Sequence, residues 1–556
     1  MYKKKLSFLI ILLLVSTSYT IGQNVKQLKP YDGNADSFII AQIRADTTAN
    51  PGILSTNRIY ELANGQIYLS TEILTLNGNK NTLRIRAPKG AKPIIYLYPT
   101  GTGSNPTRPP GNFVVLNGAN VEFTNIAISG IFEPTPAEIT NVQGGLINTT
   151  GVGSRIIIDD CLLTNVNGNH IRTGSGSKLI KVTNTTIANM GSLTTSNFGA
   201  GKAIDIREVS CDSLILTNST FVNSQDRIIR HLNLAAGNTV TGILNYCRID
   251  QNTFVNGMGF HGVLSLGNVG KSVQITNNLF VDAYALGQDS LDLVRGVEFN
   301  NTGETYTNGN PRMPWIFTAP NDTTVWTVKN NYYRITPAGQ SFFTANPRHS
   351  EGSPLSQHIK NRLGFFANQA FTKVSDLSLT NAPALMTKLL NYYISPTKGN
   401  YSKTVTNYSY LVDDMDRRPY KYFTDTMDCR YNTSSIAYNG STTGGRVGSL
   451  YWWNGKQPVS VEKDNNILPT EFTLAQNYPN PFNPTTKIEF SVPKAGNYTL
   501  KVYNMLGQEI AILLNGELSI GNYKTDFDAS KLTSGVYIYK LTGQNVNIAK
   551  KMILMK

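Results

Sequence analysis

Ionisable side chains with the chemistry for polysaccharide cleavage concentrate in one stretch of this sequence. They are Lys202, Asp205, Arg207, Glu208, Asp226, Arg227, Arg230, His231, His261 and Lys271. Cleavage of a uronic acid polymer by elimination needs three groups: a cation beside the substrate carboxylate, a base for the C5 proton and an acid for the leaving oxygen. The stretch contains side chains of each kind, so we examine it first as a candidate lyase site.

The roles can be divided by side-chain type. The candidate catalytic residues, for neutralising the carboxylate and for proton transfer, are Arg227, Arg230, His231, His261 and Lys271. The candidate substrate-binding residues are Asp205, Arg207 and Asp226. The alternative is that acidic and basic side chains pair with each other across neighbouring repeats, in which case the cluster is structural.

These side chains lie within an internal repeat. Six segments share an alternating apolar strand, a polar anchor, and an apolar or aromatic residue three positions later: VEFTNIAISG from Val121, IIIDDCLLTN from Ile156, IKVTNTTIAN from Ile180, LILTNSTFVN from Leu214, CRIDQNTFVN from Cys247 and VQITNNLFVD from Val273. VKNNYYRI, from Val328, is a looser seventh copy. The anchors are Asn125, Asp160, Asn184, Asn218, Gln251, Asn277 and Asn330. The last interval is long enough for two repeats.

The repeat predicts stacked strands. A single short strand cannot bury its inner face, whereas strands stacked in parallel about 4.8 Å apart share one core. Aligned anchors can then form an amide ladder, and Phe221, Phe254 and Phe280 fall in one column. The pattern indicates a right-handed parallel β-helix, and residues 23–453 resemble the pectin-lyase-like superfamily, as does RIYELANGQIYLSTEILTL from Arg58. This resemblance implies a polysaccharide groove along one sheet.

The ends of this region, which we call the passenger, should be capped. A helix near Asp36 to Arg44 would cover the first coil, and NAPALMTKLLNYY from Asn381 contains a second predicted helix. Near the end of the passenger, Tyr451-Trp452-Trp453 would either cover the last coil or present a platform for stacking sugars.

Motifs of related enzymes are incomplete in the passenger. A polygalacturonase-type hydrolase would place its acidic pair close to a GHG motif, but Asp159-Asp160 lies far before Gly259-Phe260-His261-Gly262 and no RIK follows. Calcium is a candidate cofactor without a clear site. Asp413-Asp414-Met415-Asp416 is acidic, but it lacks EF-hand spacing and Arg417 follows at once. We therefore expect no metal site and leave the cofactor unknown.

The C-terminal region carries four motifs in order. PNPFNP from Pro479, VYNMLGQE from Val502, SGVYIYKL from Ser534 and KKMILMK from Lys550 are separated by Gly, Pro and Asn turns. Alternating strands predict a small immunoglobulin-like β-sandwich. The motifs resemble the type A C-terminal sorting domain of the type IX secretion system, at residues 468–556 in our division. This resemblance implies contact with the secretion machinery, export through the periplasm, and release or attachment at the outer surface. The alternative is an ordinary sugar-binding module.

The N-terminus predicts a signal peptide. Lys3, Lys4 and Lys5 precede an apolar run of about ten residues, too short to span a bilayer, so residues 1–22 would be removed. No longer apolar stretch follows, and we expect no transmembrane segment in the mature chain. Residues 454–467 lack periodicity and are predicted to be a linker.

Composition narrows the function. The formal charge of +14 favours an acidic polymer as partner, but the basic residues are scattered, so nucleic acid is not expected. The sequence thus predicts an all-β, secreted or surface-attached protein that binds, and as a candidate polysaccharide lyase cleaves, an extracellular polysaccharide. The alternative is a non-catalytic adhesion scaffold.

Overall fold

The computed structural model of the chain has a parallel β-helix followed by an antiparallel β-sandwich. It describes residues 24–99, 111–130, 144–166, 168–191, 196–197, 201–231, 242–257, 259, 261–286, 305, 308–310, 312–319, 323–395, 404–405, 427–454, 462–464, 471–494, 496–518, 521–543 and 546–555. The predicted signal peptide and the acidic segment 413–416 lie outside these residues.

Three parallel sheets form the β-helix. Sheet A consists of Val25–Gln27, Ile59–Glu61, Thr82–Arg86, Asn120–Thr124, Ser154–Asp159, Ser177–Thr183, Cys211–Thr217, Leu244–Asp250, Val269–Thr276 and Val325–Lys329. Sheet B consists of Ile67–Ser70, Ile94–Leu97, Ala127–Ser129, Leu162–Val166, Thr186–Met190, Thr220–Ser224, Thr253–Gly257, Leu279–Ala283, Asn331–Arg334 and Phe371–Lys373. Sheet C consists of Leu74–Asn77, Val114–Asn117, Gly145–Gly151, Asn169–Thr173, Lys202–Asp205, Ile229–Arg230, Leu264–Gly267 and Ile316–Thr318.

Each copy of the template forms a strand of sheet A, a tight turn and a strand of sheet B. All seven anchors have a positive φ, between 50° at Asp160 and 57° at Asn277. Asparagine and aspartate tolerate this left-handed conformation better than most residues with a side chain, which explains the polar anchor. The predicted right-handed parallel β-helix is confirmed. The long last interval holds one coil, because Val325–Lys329 pairs directly with Val269–Thr276.

The side chains form columns along the β-helix. The rings of Phe221 and Phe254 stack at 5.2 Å, and those of Phe254 and Phe280 at 4.6 Å, as the sequence predicts. The anchors form only a partial ladder, in which the Asn218 carboxamide donates to Asn184 Oδ1 at 2.6 Å.

A second, more regular asparagine ladder runs along the ends of the sheet B strands. Its members also have positive φ: Asn165, Asn189, Asn223 and Asn256. Each carboxamide donates to the oxygen of the preceding one, at 2.9, 2.9 and 3.2 Å. This ladder was not predicted, although four template copies end in asparagine at these positions.

Helices lie at both ends of the β-helix and along its flank. They are α1 (Ile39–Ala49), α2 (Pro337–Ala345), α3 (Gln357–Leu363), α4 (Thr387–Ile394) and α5 (Tyr451–Asn454). Short 3-10 helices are Ala35–Ser37, Ile53–Ser55, Gly364–Gln369 and Ile436–Asn439. Ile39, Ile40 and Ile43 of α1 are buried in the same core as the first coils, so α1 is the predicted N-terminal cap. The predicted helix in 381–393 is α4. Two short antiparallel pairs join Ser196–Asn197 to Thr404–Val405 and Leu379–Asn381 to Asp428–Tyr431.

The end of the passenger runs back along the anchor turns. We call residues 440–453 the strap. The Asn330 carboxamide donates to Gly440 O at 2.7 Å, Thr442 N donates to Asn277 Oδ1 at 2.7 Å, and Leu450 N donates to Asn218 Oδ1 at 2.6 Å. The strap thus passes from the last coils to the middle ones.

The aromatic residues of the strap face the β-helix. The Trp452 indole N–H donates to Thr220 Oγ1 at 2.8 Å, and the Trp453 ring packs on the Tyr431 ring at 5.2 Å. Trp452 thus covers the flank of a middle coil, while Trp453 packs with Tyr431 against the cluster that contains Leu279 and Val281 of a later coil.

The C-terminal strands form the predicted sandwich. One sheet contains Glu462–Asp464, Thr473–Leu474, Thr485–Val492 and Gly521–Asp528. The other contains Gly496–Asn504, Glu509–Leu518, Gly535–Gly543 and Val546–Leu554. All these strands pair antiparallel around a core that includes Ile488, Leu500 and Tyr539. Glu462–Asp464 lies within the region predicted as a linker.

Candidate functional site on sheet C

Strand pairing on sheet C brings two predicted site residues, Asp205 and Arg230, into one row. Asn148 pairs with Arg172, Arg172 with Asp205, Asp205 with Arg230, and Arg230 with Ser265. Neighbouring members of the row belong to successive coils, about 4.8 Å apart. The row therefore places Asp205 between two arginines, with Arg172 on one side and Arg230 on the other.

Asp205 lies at the centre of the row, and its side chain is 2% exposed. Arg230 holds it through two hydrogen bonds, from Nε to Oδ1 at 2.7 Å and from Nη2 to Oδ2 at 3.1 Å. Asn169 Nδ2 donates to Oδ2 at 3.2 Å, and the backbone N–H of Arg207 donates to Oδ1 at 3.3 Å. Arg172 Nε is farther away, at 3.9 Å. This carboxylate therefore orients Arg230 firmly and leaves Arg172 loosely held.

Three arginines lie close together here: the guanidinium groups of Arg230 and Arg172 face the Asp205 carboxylate, and the charge of Arg207 acts on Arg172. The Arg172 side chain is 42% exposed, and Arg207 is exposed on a left-handed turn with φ of 51°. Partial burial lowers the pKa of Arg172, and the positive charges of Arg207 and Arg230 lower it further. No hydrogen bond or ion pair of the Arg207 guanidinium is formed with the residues that the structure describes. We call Arg172, Arg207 and Arg230 the arginine cluster.

A second, buried group of charges surrounds Asp226. Its carboxylate contacts Lys202 Nζ at 3.0 Å, Arg227 Nε at 3.2 Å and His261 Nδ1 at 3.1 Å. Burial alone would raise the pKa of Asp226, but the charges of Arg227, Lys202 and His261 lower it well below its usual value. Burial lowers the pKa of Lys202 to about 8, although Asp226 opposes the shift. All four side chains are at least nine-tenths buried.

The two remaining predicted catalytic residues lie apart from these groups. His231 is fully buried, with Nδ1 2.8 Å from Leu266 O and Nε2 2.9 Å from Val209 O. Lys271 belongs to sheet A, where its ammonium lies 5.3 Å from the centre of the Tyr246 ring. The structure therefore brings Arg227, Arg230 and His261 near sheet C but places Lys271 on another face.

Asn169 and Arg172 were not among the residues predicted from the sequence. Both lie on the strand Asn169–Thr173, one coil before Lys202–Asp205. The available signal was a polar residue near each end of this short strand. The strand carries no template anchor, however, so the repeat does not mark it.

The described residues contain no group of three or more His, Cys, Asp or Glu side chains arranged to hold a metal ion. Across the same residues, no helix is long and apolar enough to cross a membrane.

Comparison with known proteins identifies the C-terminal region. Residues 476–555 match the family described as the secretion system C-terminal sorting domain. No curated protein and no solved structure matches the chain. The match and the three parallel sheets agree with the predictions for the two parts of the chain. The chain is a type IX secretion cargo that carries a parallel β-helix, contacts the secretion machinery through its sorting domain, and is exported to the cell surface or secreted.

Proposed function

We propose that the β-helix binds an acidic extracellular polysaccharide at the arginine cluster. The observation that carries this proposal is the grouping of three arginines: Arg172 and Arg230 share the single carboxylate of Asp205, and the charge of Arg207 acts on Arg172. Three cations and one anion leave an excess of positive charge, and two of the guanidinium groups are open to solvent. This excess is suited to a ligand that brings its own carboxylates.

The chemistry of the guanidinium group favours such a ligand. Its planar fork donates two parallel hydrogen bonds to a carboxylate, and such charge-assisted bonds are roughly twice as strong as neutral ones. Asp205 fixes Arg230, so one arginine is held in place before the ligand binds. The positive net charge, +14 for the full sequence and +11 without the three lysines of the predicted signal peptide, would also attract a polyanion over longer distances.

Cleavage is a second candidate function, supported by the buried group around Asp226. Lys202 and Arg227 contact the same carboxylate oxygen, and a lysine with a pKa of about 8 is a base near neutral pH. In this scheme, Lys202 would join the predicted residues Arg227 and His261. A non-catalytic adhesion scaffold would use the arginine cluster for binding alone.

The test measures binding of the purified full chain to polygalacturonate and alginate, with dextran as the neutral polymer, by titration calorimetry. Replacing Arg172 and Arg207 together with alanine should weaken binding of the acidic polymers at least tenfold. The matched control replaces Arg155 and Arg248, two arginines on sheet A, and removes the same charge. Equal losses in both double variants, or no binding of either acidic polymer by the unaltered chain, would contradict the proposal.

The same incubations separate cleavage from binding. Elimination produces unsaturated uronates, which absorb ultraviolet light, whereas hydrolysis produces only new reducing ends. Binding without either product would support the adhesion scaffold. A Lys202→Met variant that kept full elimination activity would rule out Lys202 as the base.

A further inference from the structure

A cavity of about 310 Å³ lies beside sheet B, whereas the arginine cluster lies on sheet C. Its inner wall comes from the sheet B strands Thr253–Gly257 and Leu279–Ala283, and its outer wall from residues 377–385. Val255, Val281 and Leu377 provide apolar surface. The volume is at the lower end of the usual range for small-molecule pockets, about 300–1,000 Å³, and therefore suits a ligand the size of one sugar unit.

The asparagine ladder ends at this cavity. In the preceding coils, each carboxamide oxygen accepts a hydrogen bond from the asparagine of the next coil. After Asn256, the corresponding residue is Asp282, which has φ of 48° and no amide to donate. Asn256 Oδ1 accepts no hydrogen bond from any described residue, while Asn256 Nδ2 donates to Pro383 O and Ala384 O, each at 2.8 Å. The cavity thus contains an acceptor that the ladder leaves unused.

Asp282 is held by the start of α2. Thr336 N donates to Asp282 Oδ1 at 2.9 Å, and the Thr336 hydroxyl donates to Oδ2. Burial raises the pKa of Asp282, although the bonds from Thr336 oppose this. A Cβ at Gly339 would lie 2.7 Å from Asp282 Oδ1, so glycine at this position leaves room for the carboxylate. The acidic wall of the cavity is therefore rigid.

Arg334 provides a cation on the same wall. It ends the next sheet B strand and lines the cavity, and it is partly exposed. Arg334 forms no ion pair or hydrogen bond with any described residue. The charge of Arg334 does act on Asp282, whose pKa it lowers, but the guanidinium makes no direct bond to that carboxylate. A guanidinium that lines a pocket in this way has the donors to bind a ligand carboxylate through two hydrogen bonds.

We propose that this cavity binds a monomeric sugar acid, with its carboxylate on Arg334, a hydroxyl donating to Asn256 Oδ1, and its ring against Val255 and Val281. The lining combines apolar surface with a few polar groups, which include Asp282 and Thr336 as well as the two proposed contacts, as in most pockets that orient a small ligand. This site is separate from the arginine cluster and requires no polysaccharide binding there.

The test uses titration of the purified full chain with galacturonate and glucuronate, and with galactose and glucose as their neutral counterparts. We expect the two hexuronates to bind and the neutral sugars to bind at least tenfold more weakly. Arg334→Ala should lower hexuronate affinity at least tenfold, and Arg334→Lys should restore part of it because the charge is retained. Arg155→Ala is the matched control and should have no effect.

Two outcomes would overturn this proposal. One is the absence of hexuronate binding to the unaltered chain. The other is binding that is unchanged in Arg334→Ala while circular dichroism shows a native fold. The double variant of Arg172 and Arg207 should retain hexuronate binding, and Arg334→Ala should retain binding of the acidic polymers. Failure of one site can therefore be told apart from failure of the other.

Discussion

Two carboxylates organise the charges on and beneath sheet C in different ways. Asp226 is surrounded by Lys202, Arg227 and His261 in the interior, where a charge is tolerated only if it is paired. Asp205 is equally buried, but two of its neighbouring arginines reach solvent. The first group has the arrangement of a structural network or a protected base, and the second that of a docking point for an anion.

His170 should make the stability of the passenger depend on pH. It is fully buried on sheet C, and neither ring nitrogen has a hydrogen bond of normal geometry to the described residues. Burial lowers its pKa to about 3, although the Lys202 backbone opposes this. An unfolded histidine takes up a proton below about pH 6.5, whereas the folded one stays neutral, so the free energy of unfolding falls as pH drops below 6.5.

The magnitude can be measured with His170→Leu. Each unit by which the pH falls in this window should lower the free energy of unfolding by about 1.4 kcal/mol at most. The free energy of unfolding is measured in urea at pH 6.5 and at pH 5. Between these values it should fall by about 2 kcal/mol more for the unaltered chain than for the variant. An equal loss in both proteins would show that His170 titrates normally in the folded state.

The site was only partly predictable from residue types. Arg227, Arg230 and His261 fall where the repeat suggests, because they follow template copies at regular intervals. Arg172 was missed and Lys271 lies on sheet A, because the strands of sheet C carry no anchor that marks where they begin. Which face a side chain occupies then depends on loop lengths that the repeat leaves free.

Among the structural elements, the anchor turns were the most predictable. A polar residue that tolerates a left-handed conformation recurs seven times, and the column of Phe221, Phe254 and Phe280 follows from it. The strap was not predictable, since its backbone bonds to side chains of distant coils and it has no repeat of its own. Its partners are visible only once the coils are stacked.

Asn218→Gly should loosen the strap. The Asn218 carboxamide oxygen accepts from Leu450 N and Tyr451 N, while glycine keeps the left-handed turn without strain. We expect chymotrypsin to cut near Tyr451 to Trp453 several times faster and the free energy of unfolding to fall by about 1–3 kcal/mol.

Asn125→Gly is the control for this variant. Asn125 has the same backbone conformation, with φ of 54°, and makes no hydrogen bond with the strap. Its removal should leave the rate of cleavage at the strap unchanged. Equal acceleration in both variants would attribute the effect to general loss of stability instead of loss of strap contacts.

For the whole molecule, delivery should depend on the C-terminal sandwich. Deletion of residues 470–556 removes the matched sorting domain at 476–555 and should leave the protein in the periplasm. Fractionation of cells that express the full and shortened chains, followed by surface protease treatment, measures this. The full chain in cells without type IX export should also remain in the periplasm. Surface display of the shortened chain would contradict the assignment.

The sorting domain and the β-helix differ in how much their sequences reveal about function. The sorting domain has four short motifs in fixed order, each tied to a turn or strand of the sandwich. The β-helix instead repeats residues that build its turns and its core, such as Asn277 and Phe280. These residues carry no information about the ligand. Its ligand has to be inferred from side chains such as Arg172 and Arg334, which belong to no repeat.

The contacts of the strap can form only late in the synthesis of the chain. The hydrogen bond from the Ser449 hydroxyl to Asn218 O joins residues 231 positions apart, so a ribosome must complete nearly the whole passenger before it can form. Until then, the carboxamide oxygens of Asn218 and Asn277 lack the backbone donors that the strap supplies and are left to water. A chain interrupted before residue 440 would have stacked coils but no strap to cover their flank. Proteases would cut the uncovered flank faster, so this sensitivity would distinguish incomplete chains from complete ones.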